Sequence, residues 1–216
     1  MNEYRIEKKF VLGKLKNDFL KKLLLINGFN KQYPDRNISS IYLDTLNYNF
    51  AKDNINGVSR RKKIRLRWYN DNLDKISYEE KNKGNFNVWK KTSKLNFQID
   101  KTKIIESLKN KISNLYNKHN NFNYKFVLKT NYTRSYWISN NKKIRATIDI
   151  NINTSPANDL TRNLYLGETI LEFKFDPINE IHFRNFFNKK ISFLRTNKYS
   201  KYVRSFIELE NSGLIN

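Results

Sequence analysis

The chain has 216 residues, no cysteine, and 42 Lys and Arg against 20 Asp and Glu, for a formal net charge of +22. The missing cysteine excludes disulfides and thiolate metal sites, and the charge calls for an anionic partner: nucleic acid, an anionic lipid surface or polyphosphate. Hydrophobic residues make up 38 %, with 13 Tyr, 15 Phe and 3 Trp, which excludes a disordered chain and is enough to bury one core, so a single domain over residues 1–216 is expected.

Residues 4–12 read as a strand. A helix follows over residues 15–26, with Leu20, Leu23 and Leu24 as its apolar stripe and Gly28 as its stop. Pro34 and Asp35 mark a turn, residues 38–45 a short strand, and residues 54–57 a second turn. Residues 61–69 read Arg-Lys-Lys-Ile-Arg-Leu-Arg-Trp-Tyr. Lys63, Arg65 and Arg67 alternate there with Ile64, Leu66 and Trp68, so a strand would have one cationic and one apolar face. Residues 70–72 break it as a hairpin would. Residues 74–83 and 86–92 form two more strands around Lys83, Gly84 and Asn85. Asp100 is an N-cap for a helix running to about residue 118, with Ile104, Leu108, Ile112 and Leu115 at helical spacing and Ile105 and Tyr116 widening the stripe. Residues 119–123 are a polar loop. Strands follow at 125–138, 143–152 and 169–175, with a flexible loop at 153–163. Asp176-Pro177 caps a helix containing Ile181 and Phe186, and a last helix spans residues 199–209. Mostly antiparallel strands with a few helices give an α+β fold, and closing the strands into a barrel would remove their edges.

A row of like charges on one strand face repels itself and persists only against something anionic. The same spacing recurs in Glu7 and Lys9, in Glu79, Lys81 and Lys83, in Arg145, Thr147 and Asp149, and in Glu172 and Lys174. If these faces converge, they form a basic groove or tunnel containing a few acids. His119 and His182 stand in unlike contexts and read as surface residues, so a histidine metal site or a Ser-His-Asp triad is not expected. No apolar run reaches the ~18 residues of a membrane span. Residues 1–10 are charged throughout and lack a signal-peptide core, and a cytoplasmic protein is expected.

The ordered set Arg5-x-Glu7-x-Lys9-Phe10, Ser40-Ile41-Tyr42-Leu43-Asp44-Thr45, Lys63-x-Arg65-x-Arg67-x-Tyr69 and Glu79-x-Lys81-x-Lys83 resembles the VTC domain of polyphosphate polymerases. The second half agrees, with Tyr132-x-Arg134-x-x-Tyr136, Arg145-x-Thr147-x-Asp149, Leu171-Glu172-x-Lys174 and Ser200-Lys201-Tyr202. Each motif alone is weak; their order over residues 4–206 is specific. The family belongs to the triphosphate tunnel metalloenzymes. The resemblance implies an antiparallel β-barrel with a lumen of basic residues and a few acids, flanking helices and a C-terminal helix. It implies transfer of the terminal phosphate of ATP to a growing polyphosphate chain with Mn²⁺ or Mg²⁺.

By the match, Arg65, Arg67, Arg134, Arg145 and Lys201 would serve the reacting phosphates, and Lys9, Lys81, Lys90, Lys198 and Ser200 would bind phosphate. Tyr132 would hydrogen-bond a phosphate or pack as a core residue. Glu172 is the first metal ligand by the family's placement and Glu7 the second. Glu79 and Asp149 would either join them or pair with neighbouring cations. By the resemblance the chain is expected to be a free-standing bacterial form, without the membrane-spanning and phosphate-sensing parts of fungal members. Export of product, or a peripheral location at the inner face of the membrane, would then need a separate membrane protein.

Two other readings compete. A tunnel triphosphatase would cleave inorganic triphosphate or an RNA 5′ end with the same cations and metal, but the phosphatases of this fold carry richer acidic pairs. A non-catalytic polyanion or nucleic-acid binder would use the charge, yet no helix-turn-helix, zinc finger or RNP motif is present. Glutamates within basic strands also repel a nucleic-acid backbone, so no specific nucleic acid is expected.

Overall fold

The computed structural model describes residues 5–13, 17–84, 88–95, 99–100, 102–116 and 124–215. In chain order these form β1 (Ile6–Leu12), α1 (Asn17–Ile26), β2 (Phe29–Thr45), α2 (Asn49–Ile55), β3 (Arg61–Tyr69), β4 (Asn72–Lys83), β5 (Val88–Leu95) and α3 (Ile104–Tyr116). There follow β6 (Tyr124–Ser139), β7 (Ile144–Pro156), β8 (Leu164–Tyr165), β9 (Thr169–Phe175), α4 (Glu180–Phe186) and α5 (Lys201–Asn211). A single 3₁₀ turn, Pro177–Asn179, precedes α4 and a π turn, Phe187–Ile191, follows it. The residues group into two compact units. One draws on Met1–Asn37, Tyr132–Ile152 and Tyr165–Tyr199, the other on Ile38–Asn131, Asn153–Leu164 and Ser200–Asn216.

In the first unit β1 pairs with β9 and β9 with β7, both antiparallel. Lys9 faces Glu172, Glu7 faces Lys174, and Thr147 and Arg145 face Glu172 and Lys174. Facing residues share a side of the sheet. One side therefore carries Glu7, Lys9, Arg145, Thr147, Glu172 and Lys174. The other carries Phe10, Ile144, Ala146, Ile148, Leu171 and Phe173, and is covered by Leu20, Leu23 and Leu24 of α1 and by Phe183, Ile191 and Leu194. Phe173 is fully buried, and its ring lies 6.0 Å from Phe10, 5.9 Å from Phe29, and 5.5 Å from both Phe183 and Phe186. Phe173→Ala is expected to cost ~3–5 kcal/mol of stability, read as a lower urea midpoint; an unchanged midpoint would remove Phe173 from the centre of this core.

In the second unit the order is β2-β3-β4-β5. Tyr42 faces Arg65 and Ser40 faces Arg67. Lys63 faces Lys81 and Arg65 faces Glu79, and Lys81 in turn faces Lys90. The opposite side, with Ile41, Leu43, Ile64, Leu66, Ile76 and Tyr78, packs against Leu108 and Ile112 of α3. The β3–β4 turn places Asn70 and Asp71 at φ 50° and 55°, the left-handed region that these two residue types tolerate and that a tight hairpin needs.

The α+β class, the antiparallel strands and the period-two faces are as expected. The strand path has ends, β1 and β5, so among the described residues the sheet is not closed by hydrogen bonds into the barrel that was expected. Pro34 does not end a strand: β2 runs through it, because residues 30–35 are exposed and a solvent-facing strand position needs no N–H from proline. β7 continues to Pro156 into the stretch expected as a loop, and α2, not expected at all, occupies residues 49–55. α2 was illegible because Asp44, five residues upstream, anchors its start: its carboxylate accepts from the backbone N–H of Phe50 (2.8 Å) and Ala51 (2.9 Å). Asp176 makes no capping bond and instead pairs with Arg5 at 3.6 Å. His182 is exposed on α4, 2.9 Å from the Lys143 ammonium. The expected strand starts at Tyr4 and Phe86, the start of the first helix at Leu15, the turn residue Asn85, the loop 119–123 with His119, and the side chains of Leu115 and Tyr116 lie outside the described residues.

Candidate functional site

The first unit brings Glu7, Lys9, Tyr132, Arg134 and Glu172 together. Lys174, on the same side of β9, holds both carboxylates, with its ammonium 3.3 Å from Glu7 Oε1 and 3.2 Å from Glu172 Oε1. Glu172 is only 6 % exposed. Burial alone would raise its pKa, but the charges of Lys174, Lys9 and Arg134 hold it below the ordinary carboxylate value. Arg134 grips Asp149 as a fork, Nε to Oδ1 at 2.5 Å and Nη2 to Oδ2 at 2.7 Å, and its guanidinium lies 5.4 Å from the Tyr132 ring. The Asp149 charge outweighs burial and raises the Arg134 pKa further. Asp149 is fully buried in this pair, so of the two roles left open for it, the structure shows the ion pair. Arg145 is exposed, level with Lys174 in the register.

The segment before α5 lies along β1. Asn197 donates its N–H to the Lys9 carbonyl (2.8 Å) and accepts from the Val11 N–H (3.2 Å). The Lys9 ammonium donates to the Tyr199 carbonyl at 3.2 Å, and the Tyr199 hydroxyl to Glu168 at 2.7 Å. Lys198 sits exposed between these two anchors. The sequence named Lys198 and missed its anchors, because Asn and Tyr at isolated positions carry no spacing signal.

The second unit centres on Glu79, 6 % exposed. Arg65 donates to its Oε2 from Nε (2.9 Å) and Nη2 (2.5 Å). Arg67 Nη1 lies 3.6 Å from Oε1 and the Lys90 ammonium 3.2 Å from Oε2. Burial opposes ionisation, yet Arg65, Arg67 and Lys90 together hold the Glu79 carboxyl down to about 2. Glu79 therefore pairs with cations, the second of the roles considered for it. Lys81 is exposed in the same register row as Lys63 and Lys90. Ser200 is the N-cap of α5 and accepts from the Lys63 ammonium at 2.8 Å. Lys201 opens α5, partly buried. Lys63 and Lys174 were legible only as members of alternating runs, and neither was singled out as a site residue.

A divalent metal needs hard oxygen donors. Among the described residues no three acidic or histidine side chains gather. Glu7 and Glu172 are the available pair, and Thr147, which faces Glu172 across the β7–β9 ladder, has a buried hydroxyl oxygen without a hydrogen-bond partner. Two carboxylates and a spare hydroxyl fit Mg²⁺ or Mn²⁺, ions that fill much of their shell with water and substrate phosphate oxygens. Among the described residues no helix is long and apolar enough to cross a membrane.

The VTC domain family matches residues 4–209. No curated protein matches the chain. Among solved structures, a candidate adenylate cyclase from Vibrio parahaemolyticus is 12 % identical with a TM-score of 0.56, covering 94 % of this chain and 98 % of that one. A candidate adenylate cyclase from Bacillus halodurans is 14 % identical, with the same TM-score of 0.56 and coverage of 94 % and 98 %. A candidate adenylyl cyclase from Hippeastrum, described as having a dominant triphosphatase activity, is 12 % identical with a TM-score of 0.56 and coverage of 98 % of each chain. At such identities these likenesses speak for a shared fold. With the family match over nearly the whole length, the chain belongs to the VTC domain family.

Proposed function

We propose that this protein is a metal-dependent polyphosphate polymerase that moves the terminal phosphate of ATP onto a growing polyphosphate chain. The observation that carries this reading is the imbalance on the β3–β4–β5 face, where the single carboxylate of Glu79 stands among Lys63, Arg65, Arg67, Lys81 and Lys90. Such a face is short of negative charge and suits an extended polyanion more than a small metal-dressed substrate. Arg65, Arg67, Arg134 and Arg145 bind phosphate oxygens as planar forks, while Lys9, Lys81, Lys90, Lys198 and Lys201 act as point charges. Ser200 and Tyr132 add hydroxyls. Glu172, Glu7 and Thr147 would hold the divalent ion, which would supply positive charge to offset that on the phosphoryl group. Transfer between phosphates is governed by positioning and charge, and the acceptor is already an anion, so no strong base is required. We read residues 1–216 as one domain, since β2, β6 and β7 each run through both units. A cytoplasmic location, with export left to a separate membrane protein, belongs to the same proposal.

The Hippeastrum neighbour supports a second reading, hydrolysis of triphosphate with water as acceptor. One experiment separates the two. The protein is incubated with ATP and Mn²⁺, and separately with tripolyphosphate and Mn²⁺, and products are resolved by gel and ³¹P NMR. A polymerase yields chains that lengthen with time; orthophosphate release without chain growth overturns the polymerase and supports the hydrolase. The free protein should also melt at higher temperature with tripolyphosphate than with sulfate at equal ionic strength, because only a defined site distinguishes the two anions. Equal shifts would reduce the effect to screening.

A further inference from the structure

Asp44 is fully buried and no phosphate-binding role accounts for it. Its carboxylate takes five donors: the N–H groups of Thr45 (2.7 Å), Phe50 (2.8 Å) and Ala51 (2.9 Å), the Thr45 hydroxyl (3.4 Å), and the Tyr202 hydroxyl at 2.5 Å. One carboxylate thus ties the end of β2 and the start of α2 to the first turn of α5. Tyr202 is 1 % exposed. Burial and the Asp44 charge push its phenol above the ordinary value, so it remains a donor across the working pH range. Its ring stacks on Tyr42 at 4.9 Å and 19°. The Tyr42 hydroxyl lies 3.5 Å from Arg65 Nη1. Two residues before Tyr202, Ser200 takes the Lys63 ammonium. The first turn of α5 is therefore fastened to β3 near two of its cations, at Lys63 through Ser200 and at Arg65 through the Tyr202–Tyr42 stack.

We propose that Tyr202 and Asp44 are positioning residues that fix the first turn of α5, and with it Ser200 and Lys201, against Lys63 and Arg65, so that these four groups meet phosphate as one preset array. The proposal rests on the assignment of this face to phosphate binding. A preset array binds more tightly than one that must be ordered by its ligand, since the ordering cost is already met in folding. Tyr202→Phe keeps the ring and the stack and deletes only the bond to Asp44. A buried tyrosine hydroxyl could instead serve stability alone, and Phe206→Leu is the control for that: Phe206 packs on Tyr202 and Tyr48 in the same core, on the apolar side of α5.

Binding of tripolyphosphate is titrated by calorimetry without ATP or metal, well below each melting temperature, beside the melting temperature of the free proteins and the KM and kcat of turnover. Phe206→Leu should lower the melting temperature and leave the tripolyphosphate Kd within about twofold of the parent. Tyr202→Phe should weaken Kd roughly tenfold, the order of one lost ordering contribution, and raise KM more than it lowers kcat. A Tyr202→Phe Kd within twofold of the parent overturns the proposal and leaves the bond structural. Should that variant not fold, Tyr42→Phe tests the other end of the same link: it deletes the hydroxyl near Arg65 and spares the Asp44 bond, so a Kd within twofold of the parent would show that α5 does not set Arg65 through this stack and would overturn the preset array. Failure of the polymerase reading would show as absent chain growth in the parent protein, while the tripolyphosphate titration still decides the role of Tyr202.

Discussion

Glu172→Gln is expected to cut turnover roughly 10²–10³-fold, the range found when one electrostatic contact to a phosphoryl or acyl transition state is lost. The substitution keeps shape and removes the charge that would hold the divalent ion. Glu172 is buried beside Lys174 and within the field of Lys9 and Arg134, which keep it ionised. Tripolyphosphate binding without metal should survive or tighten, because a negative charge leaves a face whose cations do the binding. Mn²⁺ binding, followed by calorimetry in the absence of nucleotide, should weaken in the same variant. The competing role is structural, with Glu172 serving only as the partner of Lys174. It predicts a loss of stability with the Mn²⁺ isotherm unchanged, and that result would remove Glu172 from the metal site whatever the turnover shows.

Glu79→Gln is expected to be the most destabilising charge change in the second unit. Removing one partner of a buried ion pair leaves the others uncompensated, at a cost on the order of 3–5 kcal/mol. Here Arg65 and Arg67 are the stranded groups. Lys90 is about half exposed and adds little, since solvent screens it. The pH dependence follows from the depressed pKa. Glu79 ionises at about 2 in the folded protein against an ordinary 4.5. Its contribution to stability is fully present above about pH 4.5 and is lost as the pH falls toward 2. Urea unfolding at a series of pH values should therefore show a gap between parent and variant that is constant above this window and closes within it. Tripolyphosphate should raise the melting temperature of Glu79→Gln more than that of the parent, since the ligand replaces the missing anion. A gap that does not change with pH would mean that Glu79 acts through shape and not charge.

Both experiments turn on residues whose spacing was visible in the chain and whose partners were not. Alternation of Lys63, Arg65 and Arg67 with Ile64, Leu66 and Trp68 determined by itself that β3 has a cationic and an apolar side, because successive side chains in a strand point to opposite faces. The same rule fixed the sides of β1, β4, β7 and β9, and the 3.6-residue helical period fixed the leucine stripe of α1; together they gave the α+β class. The ordered motifs fixed the family. Tertiary structure alone decided which cations stand against which acids. Glu79 collects Arg65 and Lys90 from two other strands, Asp149 takes Arg134 from β6, and Lys174 bridges Glu7 and Glu172. It alone decided that Pro34 lies within a strand, and that α2 and α5 are tied through Asp44, which is 158 residues from Tyr202. Strand registers and buried carboxylate partners are set by contacts between segments far apart in the chain, and a local pattern holds no record of them.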